Sequence, residues 1–403
     1  MLRKLPLSLS SWKKHRVKIF TFALCLLALS AGLLARHTGV LAAFQRGLTP
    51  ASSENIWQET TAKQTNLKIG QGKTFKLDRT AMGRLLARAP REFTMPVSDS
   101  TVIVSLPLAD GRMARFRVVE SNILAPELAK QFPEIKSYSG QGADDPTLTT
   151  RFGWSQRGLS AMILGKDFKA TVLPPDATDV NTYFSSFGGD EADFNCGVQA
   201  LAKAPAPSVV KTSLGNNLRV YRMAIATSAQ YLSNPQLGGG STANAVASLN
   251  GWLNAANAIF EREMAVRLTL VNNTSIIGLN NIINTSESAA LGQIAPILGQ
   301  MVGSANYDIG HVFISQGGGG IAGLGVVCDS SDQAAPRKGS GSTSFSAPVG
   351  NAGTTGVFVH EVGHMFGAPH TFNGTVGQFC SKSRSGDSGF ETGSGTTNMS
   401  YGG

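Results

Sequence analysis

Outside its first 43 residues the sequence carries almost no net charge and has no basic cluster. Charged residues make up 15% of the 403 positions, and the formal net charge is +9. Residues 1–43 hold seven Lys or Arg residues and no Asp or Glu, which leaves 28 basic and 26 acidic residues in the rest of the chain. Nucleic-acid binding needs a positive surface patch, so the sequence argues against nucleic acid as a partner.

Long apolar runs are also absent, with one exception. The 17-residue run from Ile19 to Ala35 follows the basic segment. This arrangement is typical of a secretory signal, with small residues suited to cleavage near Ala31 and Ala43. The run is at the lower limit for crossing a bilayer, so an uncleaved membrane anchor at residues 19–35 is the alternative. We assign residues 1–43 to a signal peptide or N-terminal anchor. We expect a secreted or periplasmic protein that meets a membrane only through this segment.

Cysteine is scarce, with four residues in the chain. Cys25 lies inside the apolar run, so Cys196, Cys328 and Cys380 remain for the exported part. An odd number of cysteines in an exported protein indicates that one thiol has a role other than a disulfide. The pairing of Cys328 and Cys380 stays open.

Residues 44–205 contain no histidine and have the pattern of a β-rich domain. Two hairpins are predicted, Thr101–Leu108 with Met113–Glu120 and Leu148–Trp154 with Leu159–Leu164. The region has no clustered acidic pair that would indicate catalysis. We therefore assign residues 44–205 to a mostly β pro-domain with a folding or inhibitory role.

The stretch from Ala200 to about Asn217 is rich in Pro, Ala, Ser and Lys and lacks apolar periodicity. It is predicted to be a linker that a protease can cut at Lys203 or Lys211, with the last domain at residues 206–403. Strands and helices alternate in that domain, which favours an α/β layer with a twisted mixed sheet. The predicted elements are a strand at Leu218–Thr227, a helix at Thr242–Met264, a strand at Val266–Val271, a helix at Ile282–Met301 and a strand at Asp308–Ser315.

Three of the six histidines of the chain lie within residues 360–370. His360 and His364 are four residues apart, so on a helix they present two imidazoles to one ion. Glu361 is placed to accept a proton from water at that ion. Gly367 permits a sharp turn that brings His370 back as the third ligand. Three imidazoles and one open position predict one catalytic Zn²⁺ ion. The concentration of three of the six histidines in this motif argues against ordinary helix histidines.

The motif His360-Glu361-x-x-His364-x-x-Gly367-x-x-His370 resembles the signature of the metzincin metallopeptidases. Residues 398–401 lie where a metzincin carries its methionine turn, with Met399 29 residues after His370. Residues 391–395 and 307–313 resemble the adamalysin-like, or reprolysin-like, branch and its bacterial secreted members. The resemblance covers about residues 215–403. It implies an α/β (α+β) catalytic domain built around an active-site helix. The chain ends at Gly403, before the C-terminal helix of a metzincin, so we expect it to be truncated after the methionine turn.

The resemblance also implies roles for residues outside the histidine motif. Met399 would form the floor of the zinc site, and Tyr401 would serve as a transition-state donor or ligand. Gly323, Leu324 and Gly325 would belong to an edge strand that holds the substrate, with a flexible surface loop as the equal alternative. Cys196, in a Cys-Gly-Val sequence, would act as a cysteine switch that blocks the zinc; a disulfide or a buried thiol is the alternative. His311 is expected to be structural.

These observations predict a secreted, monomeric zinc metalloendopeptidase that is made as a zymogen and cleaves protein or peptide substrates. One alternative is a zinc amidase acting on cell-wall peptide, which would use the same metal chemistry. Another is a zinc-binding adhesion module without activity, and the presence of Glu361 argues against it.

Overall fold

The computed structural model describes residues 56–61, 72–188, 195–199, 217–345, 349–376 and 380–401. The predicted signal segment and nearly all of the predicted linker lie outside the described residues. Among the described residues, no helix has the length and apolar character that crossing a membrane requires.

Residues 56–61 and 72–188, here called the N-terminal module, form a nine-stranded antiparallel sheet. Both predicted hairpins are present, and Gly111 and Gly158 take the positive φ angles that their tight turns require. The strand order is β1-β2-β9-β8-β7-β6-β5-β4-β3. The strands are β1 (Trp57–Thr60), β2 (Gly72–Leu77), β3 (Ile103–Pro107), β4 (Met113–Glu120), β5 (Lys136–Gly142), β6 (Thr149–Ser155), β7 (Gly158–Leu164), β8 (Lys169–Leu173) and β9 (Thr182–Phe187). Two helices accompany them, α1 (Arg79–Leu86) and α2 (Pro126–Gln131).

A second, six-stranded sheet has the order β10-β14-β15-β13-β11-β12. Its strands are β10 (Asn195–Gln199), β11 (Arg219–Thr227), β12 (Val266–Leu270), β13 (Ile309–Ile314), β14 (Gly319–Gly323) and β15 (Gly341–Ser344). All its neighbouring pairs are parallel except β14 with β15. The predicted mixed sheet is therefore present, and apart from β10 it is built from residues 217–401, here called the C-terminal region.

Five helices belong to the C-terminal region: α3 (Ala229–Ser233), α4 (Thr242–Met264), α5 (Glu287–Met301), α6 (Ala352–Met365) and α7 (Cys380–Ser383). Helix α4 has the predicted bounds. Ser241 caps its first turn by accepting a hydrogen bond from the amide of Asn244, and Ala265 ends it in the left-handed conformation. Every residue from 245 to 260 is buried, because β12 lies on one side of the helix and β6 and β7 lie on another.

Helix α5 starts five residues later than predicted. The apolar residues from Ile282 suggested a helix start there, but Ser286 forms the N-cap and its hydroxyl accepts from the amide of Ala289. Asn284, just before it, instead bonds to Ser228 and to the Ser315 backbone. The capping chemistry, and not the apolar pattern, determines where the helix begins.

The two sheets share one large hydrophobic cluster. One cluster of buried side chains contains residues of the N-terminal module together with residues of α4, β12 and α6. Residues Ser52–Gly403 accordingly form one compact unit. The assignment of residues 44–205 as a pro-domain remains a prediction, but the described part of that region packs as a continuation of the C-terminal core.

Candidate metal centre

Helix α6 carries the first two predicted ligands. Its first turn is capped by Asn351, whose Oδ1 accepts from the amide of Thr354 at 3.1 Å. The helix is buried almost throughout and packs on β14, β15 and α4. His360 and His364 lie one turn apart on the same face, and both are fully or almost fully buried.

The chain reverses at Gly367, which has a φ of +95°. Its amide bonds to the carbonyl of His364 at 2.8 Å, and this turn returns the chain so that His370 faces the helix. The three Nε2 atoms then converge. They are 2.9 Å apart between His360 and His364, 3.1 Å between His360 and His370, and 3.2 Å between His364 and His370. These three buried residues form a group that could hold one metal ion.

The second nitrogen of each ring contacts a backbone carbonyl oxygen. His360 Nδ1 lies 2.7 Å from the carbonyl oxygen of Asn398, His364 Nδ1 lies 2.7 Å from that of Ala368, and His370 Nδ1 lies 2.5 Å from that of Ser383. A carbonyl only accepts, so each Nδ1 must carry the proton and each Nε2 must present a lone pair. Three lone pairs about 3 Å apart repel one another unless a cation lies between them. The donor set therefore fits a metal ion, and three imidazoles fit Zn²⁺ with one open position.

Burial keeps these rings neutral. Desolvation lowers the pKa of His364 to about 3 and the pKa of His360 well below its usual value, and the neighbouring histidines lower both further. Burial lowers the pKa of His370 as well. Since only the neutral imidazole can bind a metal, the site is ready for an ion at neutral pH.

Glu361 follows His360 on α6, and its side chain lies against strand β14. Its side chain is fully buried. A Cβ atom built on Gly320 would lie 2.4 Å from Cγ and 2.5 Å from Oε1 of Glu361. Any side chain at position 320 would therefore require the Glu361 carboxyl group to move. The predicted general base is thus held at the strand next to the metal site.

Strand β14 ends earlier than predicted. It comprises Gly319–Gly323, so Gly323 is its last residue, whereas Leu324 and Gly325 lie in the turn that follows. Gly325 has a φ of +67° and donates its amide to the carbonyl of His364, which takes this backbone out of the sheet. The outer edge of the strand is also paired, because β10 lies parallel to it with Cys196 opposite Gly320.

Met399 and Tyr401 both lie beside the histidine motif. A Cβ atom built on Gly363 would be 2.5 Å from Sδ of Met399, so the thioether packs on the backbone of α6. The Tyr401 hydroxyl is 3.4 Å from Nε2 of His370, and its ring lies 5.1 Å from that of His370. Tyr401 is therefore within reach of a group bound at the histidines.

Glu391 is a site residue whose role was not predicted. Its carboxylate accepts from the hydroxyl of Thr371, from the amides of Thr396 and Thr397 at 2.7 and 3.0 Å, and from the Thr397 hydroxyl at 2.6 Å. Thr371 directly follows His370, and Thr397 directly precedes Asn398, whose carbonyl binds His360. Glu391 thus ties together the chain segments that carry two of the three histidine contacts.

The remaining candidates lie outside the metal centre. His311 is buried on β13, where Nε2 bonds to the hydroxyl of Thr343 at 2.8 Å, and burial lowers its pKa to about 3. It packs edge-on against Phe313 and Phe358, as expected for a structural residue. Cys328 is exposed and Cys380 is buried, and both are free thiols.

Comparison with known proteins points to the same part of the chain. Residues 246–371, from α4 to just beyond His370, match the model of the metallo-peptidase family M12B, reprolysin-like. No curated protein matches the chain. Among solved structures, the chain is similar to metalloproteinase-II from Bacteroides fragilis, with a TM-score of 0.38 and 9% sequence identity. That match covers 66% of this chain and 80% of the other. At this TM-score and identity, it carries no argument about function.

Proposed function

We propose that this chain is a zinc-dependent endopeptidase that is exported as a zymogen and hydrolyses peptide bonds in protein substrates. The observation that carries the proposal is the convergence of three Nε2 lone pairs at about 3 Å beside a buried glutamate. The match of residues 246–371 to a zinc-dependent metallopeptidase family supports it. No comparable group of histidine, cysteine and acidic side chains occurs elsewhere among the described residues.

Each residue of the metal centre is assigned a separate role in the proposed hydrolysis. His360, His364 and His370 would hold the ion. A zinc ion in this position supplies Lewis acidity, which acidifies water and polarises the carbonyl of a peptide bond. Glu361 accepts the proton from the attacking water and passes it to the leaving amine. The Tyr401 hydroxyl, next to His370, donates a hydrogen bond to the oxygen on which negative charge develops.

Strand β14 is proposed to bind the substrate. Its Gly320 backbone touches Glu361, so a peptide paired with this strand passes directly beside the general base. Backbone pairing gives affinity with little dependence on side chains, which suits an enzyme acting on unfolded or extended protein segments. Of the predicted substrate residues, only Gly323 lies in this strand.

Strand β10 is proposed to keep the zymogen inactive. It occupies the outer side of β14, where a substrate would have to pair, and a strand can pair with only one neighbour on that side. Cys196 is in register with Gly320, whose backbone touches Glu361, and this register supports the predicted switch. We infer that its thiolate would serve as a further ligand of the ion before activation, and that cleavage between residues 200 and 216 allows β10 to leave.

The test is casein hydrolysis by the purified chain before and after cleavage between residues 200 and 216. Activity should appear on cleavage, disappear with a chelator and return with zinc. Glu361→Gln should abolish turnover while zinc content stays at one ion per chain. Glu134→Gln, at an exposed glutamate, is the matched control and should behave as the wild type.

Two outcomes would contradict the proposal. Full activity of Glu361→Gln would show that Glu361 is not the general base. A cleaved, zinc-loaded wild type that degrades cell-wall peptide but not casein would favour the amidase alternative.

A further inference from the structure

The N-terminal module pairs with the six-stranded sheet at the edge opposite to β14. There, the amide of Leu270 donates to the carbonyl of Ile123, and the amide of Ala125 donates to the carbonyl of Leu270, both at 2.8 Å. Leu124 and Leu270 thus form a parallel bridge. An uncovered edge strand presents unpaired backbone groups that promote aggregation. The module covers the end of β12 and protects this edge.

Helix α4 packs directly on the module. Oδ1 of Asn250 accepts from the hydroxyl of Ser137 at 2.8 Å, and Nδ2 of Asn254 donates to the same hydroxyl at 2.9 Å. A Cβ atom built on Gly153 of β6 would lie 3.1 Å from Nδ2 of Asn250, so the strand backbone touches the helix. All these residues are buried. Loss of the module would expose one side of the central helix of the C-terminal region.

Four side chains of alternating charge form a chain of ion pairs that crosses the boundary between the two parts twice. Arg151 of the module binds Glu261 at 2.8 Å, Glu261 binds Arg267 at 2.5 Å, and Arg267 binds Glu92 of the module at 2.7 Å. Arg151 and Arg267 are buried. Separation of the two parts would break the pairs Arg151–Glu261 and Arg267–Glu92 at once.

Apolar packing continues across the same boundary. Leu124, Leu128 and Met162 of the module belong to the same buried cluster as Leu268 of β12 and Val359 of α6. Val359 immediately precedes His360. The core that positions the active-site helix is therefore completed by side chains of the module.

Strand β10 is held in a different way. Its strand pairing in the described structure is with β14 alone, through a five-residue parallel register. This ladder joins β10 to the sheet at one edge, and α7 also lies close to the strand. The N-terminal part of the chain thus has one short strand that pairs beside the metal site, and one larger body that shares a core with the C-terminal region away from it.

We propose that residues 72–188 are a permanent part of the folded peptidase, and that cleavage between residues 200 and 216 frees β10 without releasing the module. The inference rests on the proposed function only for the statement that cleavage activates the enzyme. Association of the two fragments follows from the packing alone. The active form would then be a two-fragment protein whose N-terminal fragment binds its own C-terminal region.

The experiment uses the full chain with a recognition site for a sequence-specific protease inserted between Ala204 and Pro205. It is made in the Glu361→Gln background, which lacks the proposed general base, so that the fragments do not degrade each other. After complete cleavage, both fragments should elute together in size-exclusion chromatography at the volume of the uncut chain, at micromolar and at nanomolar concentration. Separate elution of two folded fragments would overturn the proposal.

A variant pair tests whether the described interface is responsible. Gly153→Leu forces a side chain between β6 and α4, and overpacking of this kind should raise the dissociation constant of the cleaved fragments about tenfold or more. Gly292→Leu is the matched control, because Gly292 is exposed on α5 and a Cβ there meets nothing within 4 Å. Equal dissociation constants for the two variants would refute the interface. If Gly153→Leu does not fold, Gly153→Ala takes its place, with a smaller increase expected.

Failure of this proposal can be told apart from failure of the proposed function. Co-elution is measured on an inactive chain and needs no substrate. Co-elution without casein hydrolysis by the corresponding wild type would retain the inference and remove the peptidase assignment. Casein hydrolysis by an isolated C-terminal fragment that has lost the module would retain the peptidase assignment and remove the inference that the module is permanent.

Discussion

Replacement of Glu391 should weaken zinc binding although this residue does not touch the ion. Its carboxylate joins Thr371, next to His370, to Thr396 and Thr397, next to the carbonyl that binds His360. Glu391→Ala removes this connection. Glu391→Gln keeps the shape, and its one carbonyl oxygen can still accept from the two backbone amides, while its NH₂ group can face the threonine hydroxyls.

The expected size follows from the bonds that are lost. A hydrogen bond to a charged group contributes about 1 kcal/mol more than one to a neutral group, so two amide bonds weakened by Glu391→Gln correspond to about 1–2 kcal/mol. About 1.4 kcal/mol is a tenfold change in an equilibrium constant. We therefore expect zinc affinity to fall about tenfold in Glu391→Gln and up to about 100-fold in Glu391→Ala, within the range known for residues that orient metal ligands.

The carboxyl group of Glu391 is ionised at the neutral pH at which zinc binding is measured. Its slight burial raises the pKa, but hydrogen bonds from Thr371, Thr396 and Thr397 outweigh this and lower the pKa from 4.5 to about 2. Because the pKa is lower in the folded state, the stabilisation is present above about pH 4.5 and is lost as the pH falls towards 2. At neutral pH the two variants therefore report on the intact network.

The assay is competition for zinc with a chromophoric chelator at neutral pH, with Glu134→Gln as the control at an exposed glutamate. Co²⁺ replacement gives a second readout, because the visible spectrum depends on ligand geometry and should change in both Glu391 variants. Zinc affinities within twofold of the wild type, together with an unchanged Co²⁺ spectrum, would refute the role assigned to Glu391.

Two further predictions concern glycine and histidine positions near the active-site helix. Gly320→Ala should displace Glu361, because the strand is held by its pairing with β15 and the new Cβ needs the space of Cγ; kcat should fall about 10–100-fold at unchanged zinc content, and an unchanged kcat would contradict this. His311→Gln should remove part of the acid sensitivity of folding. Burial lowers the pKa of His311 to about 3 in the folded chain. Below about pH 6.5, His311 therefore binds a proton in the unfolded chain but not in the folded chain. Stability is therefore lost as the pH falls from about 6.5 to about 3, by up to about 1.4 kcal/mol per pH unit. The free energy of unfolding, measured with urea between these pH values, should depend less steeply on pH in the variant than in the wild type. Equal slopes against pH would contradict the prediction.

The histidine group could be predicted from the sequence because it depends on local rules. A spacing of four places His360 and His364 on one helix face, and a glycine with positive φ after the helix allows His370 to return. The long helix α4 could also be predicted from the sequence, since its apolar spacing and both of its ends are encoded within its own residues. The start of α5 was missed because a capping serine overrides the apolar pattern that precedes it.

The contacts that support the site could not be read from spacing. Glu391 lies 21 residues after His370, in a segment without helical or strand periodicity, and its partners are hydroxyls and amides that occur at many positions in the chain. Of the three residues suggested for the substrate strand, Leu324 and Gly325 lie beyond its end, because Gly325 leaves the sheet to bond with His364 of α6. Both features arise from tertiary packing around the metal site.

The relation between the two parts of the chain was the least predictable feature. A linker rich in Pro, Ala and Ser suggested a separable pro-domain, yet composition reveals nothing about what a domain packs against. Arg151 and Glu261 are far apart in sequence and ordinary as single residues, and only the structure brings them together in an ion pair.

The two edges of the six-stranded sheet give a physical reason for this arrangement. A peptidase that recognises substrate backbone must leave one strand edge open when it is active, and an open edge also invites aggregation. Here the edge at β12 is covered by residues 123–125 through a shared core, whereas the edge at β14 is covered by a single short strand. Permanent cover at one edge and removable cover at the other would let activation expose the β14 edge for substrate while the rest of the sheet stays protected.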